Sequence, residues 1–335
     1  MLKWLLIGIG DIARRRVIPA LLAEPRSRLV GFVTHDPCKA EPWGLPSWTI
    51  LDEALSSERF DAVYVGTPPA LHCPQTLTAL RAGCHVLCEK PFGLNYREAR
   101  RMVDEAGRLK RTLGVAYYRR FYPKLLKAKE LIAAGVIGRP LLAELVHHVW
   151  LTPDDASVQA WLFDPSVAGG GPLYDVGSHR IDVLNFLFGK PMKVNALLSR
   201  ERELPAVEDA AAVLIEYERG VRGVVDVSWR SHEQRDECRI LGSGGEIRLS
   251  PLNGPRIEWP GGESGGTPGG AEDLPIHANP HLPCIENFVS AVQLGEQPAS
   301  SGETASWTDW VTEQAVLSSG GQGSVKVGSE NRVTL

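Results

Sequence analysis

Several features are missing from the 335-residue sequence, and each absence excludes a class of protein. No apolar run approaches the roughly 20 residues that a membrane-spanning helix needs, so no membrane partner is expected. Neither sign of charge predominates, because 36 basic and 40 acidic residues leave a formal net charge of −4. Proteins that bind nucleic acid usually carry a basic excess, so no nucleic-acid partner is expected either. Repeats and low-complexity tracts are also lacking, which favours an ordinary globular chain.

The six cysteines form neither a CxxC pair nor the spacing of a zinc finger. This pattern indicates reduced thiols in a cytoplasmic protein rather than a disulfide framework. The N-terminal stretch from Met1 to Gly8 resembles the core of a secretion signal, but it is too short and leads straight into a glycine motif. It is therefore interpreted as a β-strand.

The chain is long enough for two domains, and its pattern of apolar runs changes near residue 120. Before that point, short apolar strands alternate with helical segments, which predicts an α/β domain with a doubly wound parallel sheet. The predicted strands of this part are 3–9, 29–33, 61–65, 85–88 and 112–117. Between 192 and 259, strand-like runs follow one another through short turns, which predicts an open, mostly antiparallel sheet flanked by helices. We therefore predict one domain over 1–120 and an α+β domain over 121–335.

Residues 8–13 spell GxGxxA between the first predicted strand and a helix, as in a dinucleotide-binding fingerprint. Gly8 permits the tight turn, Gly10 lets a pyrophosphate approach the backbone, and Ala13 lets the helix pack on the strand. Asp11 and Ile12 lie at the start of that helix. We expect all five residues to contact a nicotinamide dinucleotide, which makes 1–120 a Rossmann domain.

The end of the second strand is where the ribose of such a cofactor is recognised. An acidic residue there binds the 2′-hydroxyl of NAD and repels the 2′-phosphate of NADP. Thr34 and His35 occupy this position and Asp36 comes slightly late, so NADP is the preferred cofactor and NAD stays open. The segment 37–49 contains three prolines, which excludes a long helix there.

Two more strand ends carry candidate cofactor-binding residues. The candidates after the third strand are Gly66, Thr67, Pro68 and His72. Glu89 and Lys90 follow the fourth strand. Because ligands of such sheets bind at the carboxyl ends of the strands, we expect these residues to converge on one crevice with Gly8 and Thr34.

A candidate catalytic segment runs from Gly169 to Asp182 in the second domain. Three consecutive glycines allow a close approach of the backbone, and a helix is predicted to begin near Pro172. Asp175, His179 and Asp182, spaced i, i+4 and i+7, share one face of that helix. A carboxylate one turn away can orient an imidazole and raise its basicity. A surface pair that stabilises the helix and a zinc site are the two other interpretations.

Together these motifs resemble those of the Gfo/Idh/MocA oxidoreductases, the family of glucose–fructose oxidoreductase and inositol dehydrogenase. The resemblance covers nearly the whole chain. It rests on GxGxxA at 8–13, Gly-Thr-Pro-Pro-x-x-His at 66–72, Glu-Lys-Pro at 89–91 and the glycine, aspartate and histidine pattern at 169–182. The proline-rich segment 37–49 is a departure, because relatives usually have a helix there.

The resemblance implies three catalytic residues, Lys90, Asp175 and His179. It implies reversible hydride transfer between a nicotinamide cofactor and a small-molecule polyol or carbonyl, such as a sugar or cyclitol. His179 is then the expected general acid/base, and Lys90 the group that stabilises the reacting oxygen. Asp175 would orient His179 or bind a substrate hydroxyl. No metal is expected, because the dinucleotide-binding context favours a metal-free site and Lys90 would be an unsuitable neighbour for a metal ion.

Further expectations concern the substrate pocket. Arg120 and Trp161, with Tyr118, are candidates for its wall, and Asp182 either binds a substrate hydroxyl or pairs locally. Glu89 either contacts the cofactor ribose or holds its own turn.

The resemblance also implies a homodimer or homotetramer formed through the outer face of the second sheet. Two other functions stay open: a non-catalytic NADP-binding regulator of the same fold, and a reductase of a non-sugar carbonyl, enone or imine.

Overall fold

The computed structural model describes residues 1–152, 160–200, 206–261 and 269–321. Its first domain is built on six strands: β1 (Leu2–Ile7), β2 (Ser27–Val33), β3 (Ser47–Trp48), β4 (Ala62–Val65), β5 (His85–Cys88) and β6 (Leu113–Val115). They lie side by side in the order β3-β2-β1-β4-β5-β6, and every pairing is parallel. The prediction of a doubly wound parallel sheet is confirmed.

Helices cover this sheet, so its central strands are apolar and buried on both faces. All four residues of β4 are buried. The helices of this domain are α1 (Ile18–Ala23), α2 (Leu51–Ser57), α3 (His72–Arg81) and α4 (Tyr96–Leu109). A π-helical turn over Ala13–Val17 leads into α1. As predicted, the prolines of 37–49 exclude a long helix: two short 3₁₀ turns and β3 occupy that segment, although β3 and α2 themselves are not predicted from the sequence.

The second domain contains eight described strands with helices packed on one face. Its helices are α5 (Pro123–Ala133), α6 (Pro165–Ala168) and α7 (Ser178–Phe188). Its strands are β7 (Pro140–Trp150), β8 (Pro191–Ser199), β9 (Ala210–Tyr217), β10 (Arg222–Ser228), β11 (Arg230–Gly242), β12 (Gly245–Arg248), β13 (Arg256–Trp259) and β14 (Gly270–Asp273). Their order is β14-β13-β12-β11-β7-β10-β9-β8. Only β7 and β10 pair in parallel among these strands, so the predicted mostly antiparallel sheet is confirmed.

The last two helices join the domains. Helix α8 (Leu282–Leu294) packs on the first domain, where the ring of Phe288 lies 5.5 Å from that of Trp4. Helix α9 (Gly302–Gly321) contributes Ala305 to the core of the first domain and Val311 to that of the second. The predicted second domain of 121–335 therefore includes a helix that belongs to the core of the first, because the apolar face of α8 is buried there. None of the helices in the described ranges is both long and apolar enough to cross a bilayer.

Candidate active site

The predicted crevice lies at the carboxyl edge of the first sheet. Backbone hydrogen bonds carry the parallel ladder into the residues after each strand. The amide of Gly8 donates to Val33 at 2.8 Å, and the amide of Glu89 donates to Val65 at 2.9 Å. The amide of Gly66 donates to Ile7 at 2.8 Å. The structure thus brings three of the predicted strand-end positions together on one edge.

The two glycines of the fingerprint have different reasons to be glycine. Gly8 has a φ of +87°, and a Cβ there would lie 2.8 Å from the carbonyl oxygen of Gly66. Its small size is therefore required by the protein itself. A Cβ on Gly10 would meet no atom within 4 Å, so the space beside it is not filled by described residues. Open backbone at a helix start, next to the exposed side chain of Ile12, fits the pyrophosphate of a dinucleotide.

Two other residues of the fingerprint, Ala13 and Asp11, have side chains that already contact the protein. Ala13 is buried in the core, as its packing role requires. The carboxylate of Asp11 forms surface ion pairs with Arg14 at 3.2 Å and Arg15 at 3.1 Å. Because its side chain is paired in this way, Asp11 would contact the cofactor through its backbone.

At the end of β2 the structure has no carboxylate at the first position after the strand. Thr34 is buried, and its hydroxyl oxygen accepts from the amide of Asp36 at 3.2 Å. His35 is exposed. The carboxylate of Asp36 lies 3.9 Å from the ammonium of Lys39.

His72 does not lie where a cofactor-binding residue should. It is fully buried, and its two ring nitrogens lie 2.8 Å from the carbonyl oxygens of Thr67 and Pro91. Both nitrogens thus face main-chain carbonyl oxygens of the protein, and the neutral ring donates to one of them. The expectation that His72 contacts the cofactor is replaced by a positioning role, in which the imidazole joins the loop after β4 to the loop after β5.

Glu89 is also held by the protein. Its carboxylate accepts from the hydroxyl of Tyr64 at 2.7 Å, from the imidazole of His281 at 3.3 Å and from the amide of Lys90 at 3.1 Å. Burial opposes its ionisation, but the hydrogen bonds and charge of His281 and the Tyr64 hydroxyl outweigh burial and lower the pKa of Glu89 to about 2. Of the two predicted roles, the structure supports the one in which Glu89 holds the Glu-Lys-Pro turn. The peptide bond between Lys90 and Pro91 in this turn is cis.

Lys90 connects the two domains. Its ammonium donates to the carboxylate of Asp175 at 3.0 Å and to the carbonyl oxygen of the same residue at 3.2 Å. The two side chains are 19% and 29% exposed, so the pair borders the crevice. Burial raises the pKa of Asp175, but the Lys90 ammonium outweighs burial and holds that pKa below its usual value. Asp175 is therefore ionised and its partner is Lys90.

The glycine run has a structural reason that the sequence does not reveal. A Cβ on Gly169 or Gly170 would collide with the ring of Tyr174, and one on Gly171 would collide with the backbone of Glu208. The buried carboxylate of Glu208 accepts from the amides of Gly171 at 2.9 Å and Leu173 at 3.1 Å. The run therefore packs inside the second domain, and Glu208 caps the helical turn that follows it.

That turn also changes the predicted aspartate and histidine geometry. Residues Leu173–Gly177 form a π-helical turn before α7 begins at Ser178. The expected pairing of Asp175 with His179 assumed one continuous α-helix. Among the side chains that the structure describes, Asp175 is hydrogen-bonded to Lys90 instead.

His179 is buried between two aromatic rings. Its ring centroid lies 6.0 Å from that of Tyr117 and 5.2 Å from that of Tyr118. Its Nδ1 is buried without a hydrogen-bond partner in the described ranges. Burial, followed by the positive charges of Arg119 and Lys90, lowers the pKa of His179 well below its usual value. The imidazole is therefore neutral near pH 7.

Two of the expected substrate contacts are corrected by the structure. Arg120 and Asp182 form a buried ion pair, with Nε 3.0 Å from Oδ2 and Nη2 2.5 Å from Oδ1, and their side chains are 2% and 1% exposed. Arg120 also donates to the carbonyl oxygen of Ala299 and the hydroxyl of Thr304. Neither residue of the ion pair lines an open pocket, because both side chains are buried and hydrogen-bonded to each other. Trp161 lies half-buried on a 3₁₀ turn over Ala160–Phe163, and its contact with a substrate stays a prediction.

Sequence reasoning missed His281, which lies at the centre of the site. Its imidazole is buried, lies 3.3 Å from Glu89 and has its ring centroid 4.6 Å from that of Tyr118. Nearby, the side chain of Asn279 donates to the carbonyl oxygen of Arg16 at 2.8 Å and so fastens this segment to the first helical turn. A single histidine in a loop, 192 residues after Glu89, carries no local signal of its position.

Two family models match the chain. One, described as the oxidoreductase family with an NAD-binding Rossmann fold, matches residues 2–117, and another, the GFO/IDH/MocA C-terminal domain, matches residues 125–248. Both follow the order of the two domains in the structure.

Individual relatives agree with this match. The chain is 30% identical over 321 residues to the 1,5-anhydro-D-fructose reductase of Ensifer adhaerens, with 92% of this chain and 93% of the relative covered. It is 28% identical to the D-xylose 1-dehydrogenase (NADP(+)) of Haloarcula marismortui, with 74% and 72% covered. The solved structure of levoglucosan dehydrogenase in complex with NADH has the same fold, with a TM-score of 0.86 at 23% identity over 95% of this chain and 97% of that one. The chain therefore belongs to the Gfo/Idh/MocA family of NAD(P)-dependent oxidoreductases.

Proposed function

We propose that this oxidoreductase catalyses reversible hydride transfer between NADP and a secondary alcohol, or the corresponding carbonyl, of a sugar, cyclitol or related polyol. One observation carries the proposal. The Lys90 ammonium, at the end of β5, meets Asp175 of the second domain at 3.0 Å, close enough to the buried His179 for its charge to lower the pKa of that imidazole. A donor for the reacting oxygen and a base for the hydroxyl proton are the two groups that oxidation of an alcohol requires.

His179 suits the role of acid/base. A neutral imidazole accepts the hydroxyl proton during oxidation and returns it during reduction. Its Nδ1 is buried and makes no hydrogen bond to a described residue. When bound, the nicotinamide supplies the hydride donor or acceptor.

Lys90 would donate a hydrogen bond to the reacting oxygen, and its charge would stabilise alkoxide character there. Asp175 holds the ammonium through both its carboxylate and its main-chain carbonyl oxygen. We therefore assign Asp175 a positioning role on Lys90 instead of the predicted role on His179.

The preference for NADP is proposed from the end of β2. Thr34 stands at the position where a carboxylate would repel a 2′-phosphate, and Asp36 is turned toward Lys39. The relatives include examples of both cofactors, since one is named for NADP(+) and the structure of another was solved with NADH.

The substrate class is proposed from the names of the relatives, which act on anhydrofructose, xylose and levoglucosan. All three are sugars or sugar anhydrides, and hence compounds with the hydroxyl-bearing carbons that this chemistry needs.

We also propose that the chain forms a homodimer or homotetramer through the outer face of the second sheet. Met192 is 53%, Leu214 47% and Leu197 69% exposed on its strands β8 and β9, an apolar surface of the kind that subunit contacts cover. All six cysteines are free, and five of them are buried, which supports the expected reducing, cytoplasmic compartment.

The proposal is tested by measuring reduced nicotinamide with the purified protein, NADP or NAD, and a panel of sugars, polyols and carbonyl compounds. Turnover with at least one sugar or polyol is expected. Tight cofactor binding without turnover of any compound would instead identify a regulator, and turnover confined to enones or imines would contradict the substrate class.

A further inference from the structure

Two guanidinium groups converge on one ring beside His179. The Cζ of Arg119 lies 5.0 Å from the centroid of the Tyr118 ring, and the Cζ of Arg16 lies 5.8 Å from it. The same ring contacts the imidazoles of His179 and His281 at centroid distances of 5.2 and 4.6 Å. Tyr118 therefore joins these two cations to the proposed site of proton transfer.

Neither guanidinium has a carboxylate partner among the described residues. In the described parts of the chain, Arg16 and Arg119 have no carboxylate oxygen within 4.0 Å. The neighbouring cations differ in this respect, because Lys90 is paired with Asp175 at 3.0 Å and Arg180 with Asp236 at 3.0 Å. Among the described residues, carboxylates pair with Lys90 and Arg180, and the guanidiniums of Arg16 and Arg119 beside Tyr118 are left without a counter-ion.

The environment of Arg119 makes this excess unusual. Arg119 is only 8% exposed, and its side chain donates to the amide oxygen of Asn253 and the hydroxyl of Tyr118, both neutral acceptors. These three hydrogen bonds use three of the five N–H groups of a guanidinium. A buried cation without a counter-ion is costly, and such a group is satisfied best by a bound anion.

We infer that the substrate carries an anionic group, a carboxylate or a phosphate ester, which Arg119 binds with Arg16 beside it while the reacting carbon lies at Lys90 and His179. This inference rests on the proposed function and specifies its substrate as an anionic sugar. A guanidinium is the side chain whose planar donors match both kinds of anion. Because Arg119 and His179 touch the same tyrosine ring, one small sugar can span the two positions.

The lowered pKa of His179 agrees with the binding of an anion at Arg119. After burial, the charge of Arg119 contributes most to lowering the pKa of His179. An anion at Arg119 offsets that charge and raises the pKa of the imidazole toward the pH at which it works. Binding of the correct substrate would thus prepare the proposed acid/base for catalysis.

The test compares sugars that differ only in the anionic group, with NADP-saturated protein. The pairs are glucose with glucuronate, galactose with galacturonate, and glucose with glucose 6-phosphate. We expect the anionic member of at least one pair to raise Tm more than its neutral partner and to have at least about a tenfold higher kcat/KM. The uronates and the phosphate separate the two kinds of anion.

Substitutions of Arg119 and Arg16 then test whether these residues cause the preference for the anionic sugar. Arg119→Gln keeps hydrogen-bonding capacity but removes the charge, and should lower the ratio of kcat/KM for the anionic sugar to kcat/KM for its neutral partner at least about tenfold. Arg16→Gln, at a half-buried position, is the second variant and should give a smaller loss in the same direction. Arg28→Gln is the control, because Arg28 is exposed at the opposite edge of the sheet, where β2 begins.

Several results would overturn the inference. Equal Tm shifts for the neutral and anionic member of every pair would do so, whether or not the protein turns over any of them. A loss of NADP affinity in Arg119→Gln would assign the charge to the cofactor and would also overturn it. Turnover of neutral sugars alone refutes this inference but leaves the oxidoreductase proposal standing, whereas an anion-dependent Tm shift without turnover supports the anion site and refutes the hydride transfer.

Discussion

Two ion pairs formed by aspartates of one short segment have opposite environments. Asp175 and Asp182 lie seven residues apart, and each pairs with a cation that follows a strand of the first sheet. The Asp175–Lys90 pair borders the crevice with side chains 29% and 19% exposed. The Asp182–Arg120 pair is 1% and 2% exposed and also holds α9 through Thr304. Solvent access, and not residue type or spacing, separates the group available to a ligand from the group that stabilises the fold.

The largest effect is expected from a substitution that breaks the buried Asp182–Arg120 pair. Asp182→Asn leaves the Arg120 guanidinium buried without a counter-charge, so the free energy of unfolding should fall by about 3–5 kcal/mol. Asp175→Asn is the matched control and should cost less than about 1 kcal/mol, because its pair is partly exposed. Urea denaturation followed by circular dichroism measures both. Equal losses in the two variants would mean that the pairs do not differ as their burial indicates.

The next largest effect is expected from a substitution of Lys90, which breaks the partly exposed Asp175–Lys90 pair. Lys90→Met removes the donor to the reacting oxygen, so kcat should fall by about 10²–10³-fold, while NADP affinity stays within a few-fold. Initial rates and cofactor titration by fluorescence measure the two quantities. Near-normal turnover in this variant would remove Lys90 from the catalytic assignment, and an equal loss of NADP affinity would place it in cofactor binding instead.

A smaller effect appears in the dependence of stability on pH. Because the folded-state pKa of His179 is lowered, the unfolded chain takes up the proton first as pH falls below the ordinary value of about 6.5. Ionisation of His179 therefore contributes nothing to stability above that pH and costs up to about 1.4 kcal/mol per pH unit below it. His179→Gln should flatten the loss of stability between pH 7 and 5.

Thermal unfolding across this pH range measures the slope. His35→Gln is the control, since His35 is exposed, and its slope should match that of the unsubstituted protein. An unchanged slope in His179→Gln would show that the imidazole takes up its proton at the same pH in the folded and unfolded states.

The smallest expected effect concerns cofactor choice at the end of β2. Thr34→Asp places a carboxylate where the 2′-phosphate of NADP would lie, so the ratio of NADP to NAD affinity should fall by about tenfold. Thr34→Ser keeps the hydroxyl that accepts from Asp36 and serves as the control. Equilibrium titration with the two reduced cofactors gives the ratio, and a preference unmoved by Thr34→Asp would contradict this account of ribose recognition.

The parts of the site that could be predicted from the sequence are those with a local signature. GxGxxA between a strand and a helix predicts the turn that Gly8 forms, and the alternation of strands and helices predicts that Glu89 and Lys90 lie at the same edge of the sheet. The partners of these residues could not be predicted. Glu89 is held by Tyr64 and by His281, which approach from strand β4 and from the segment before α8.

The segment from Gly169 to Asp182 shows the same limit. Its residues indicate a functional helix, but the i, i+4 spacing implies an Asp175–His179 pair that the π-helical turn and Lys90 replace. The three glycines suggest an approach of the backbone to a ligand, whereas they are required by Tyr174 and Glu208.

The sequence by itself determined the architecture of both domains, the family, and the identity of the Lys90, Asp175 and His179 candidates. These follow from hydrophobic periodicity and short motifs, which act over a few residues and are therefore visible in one dimension. Only the tertiary structure decided that Asp182 is buried while Asp175 is accessible, that His281 enters the site, and that Arg16 and Arg119 meet at Tyr118. Each of these depends on burial and charge between segments far apart in the chain, and such contacts exist only after the domains have packed together.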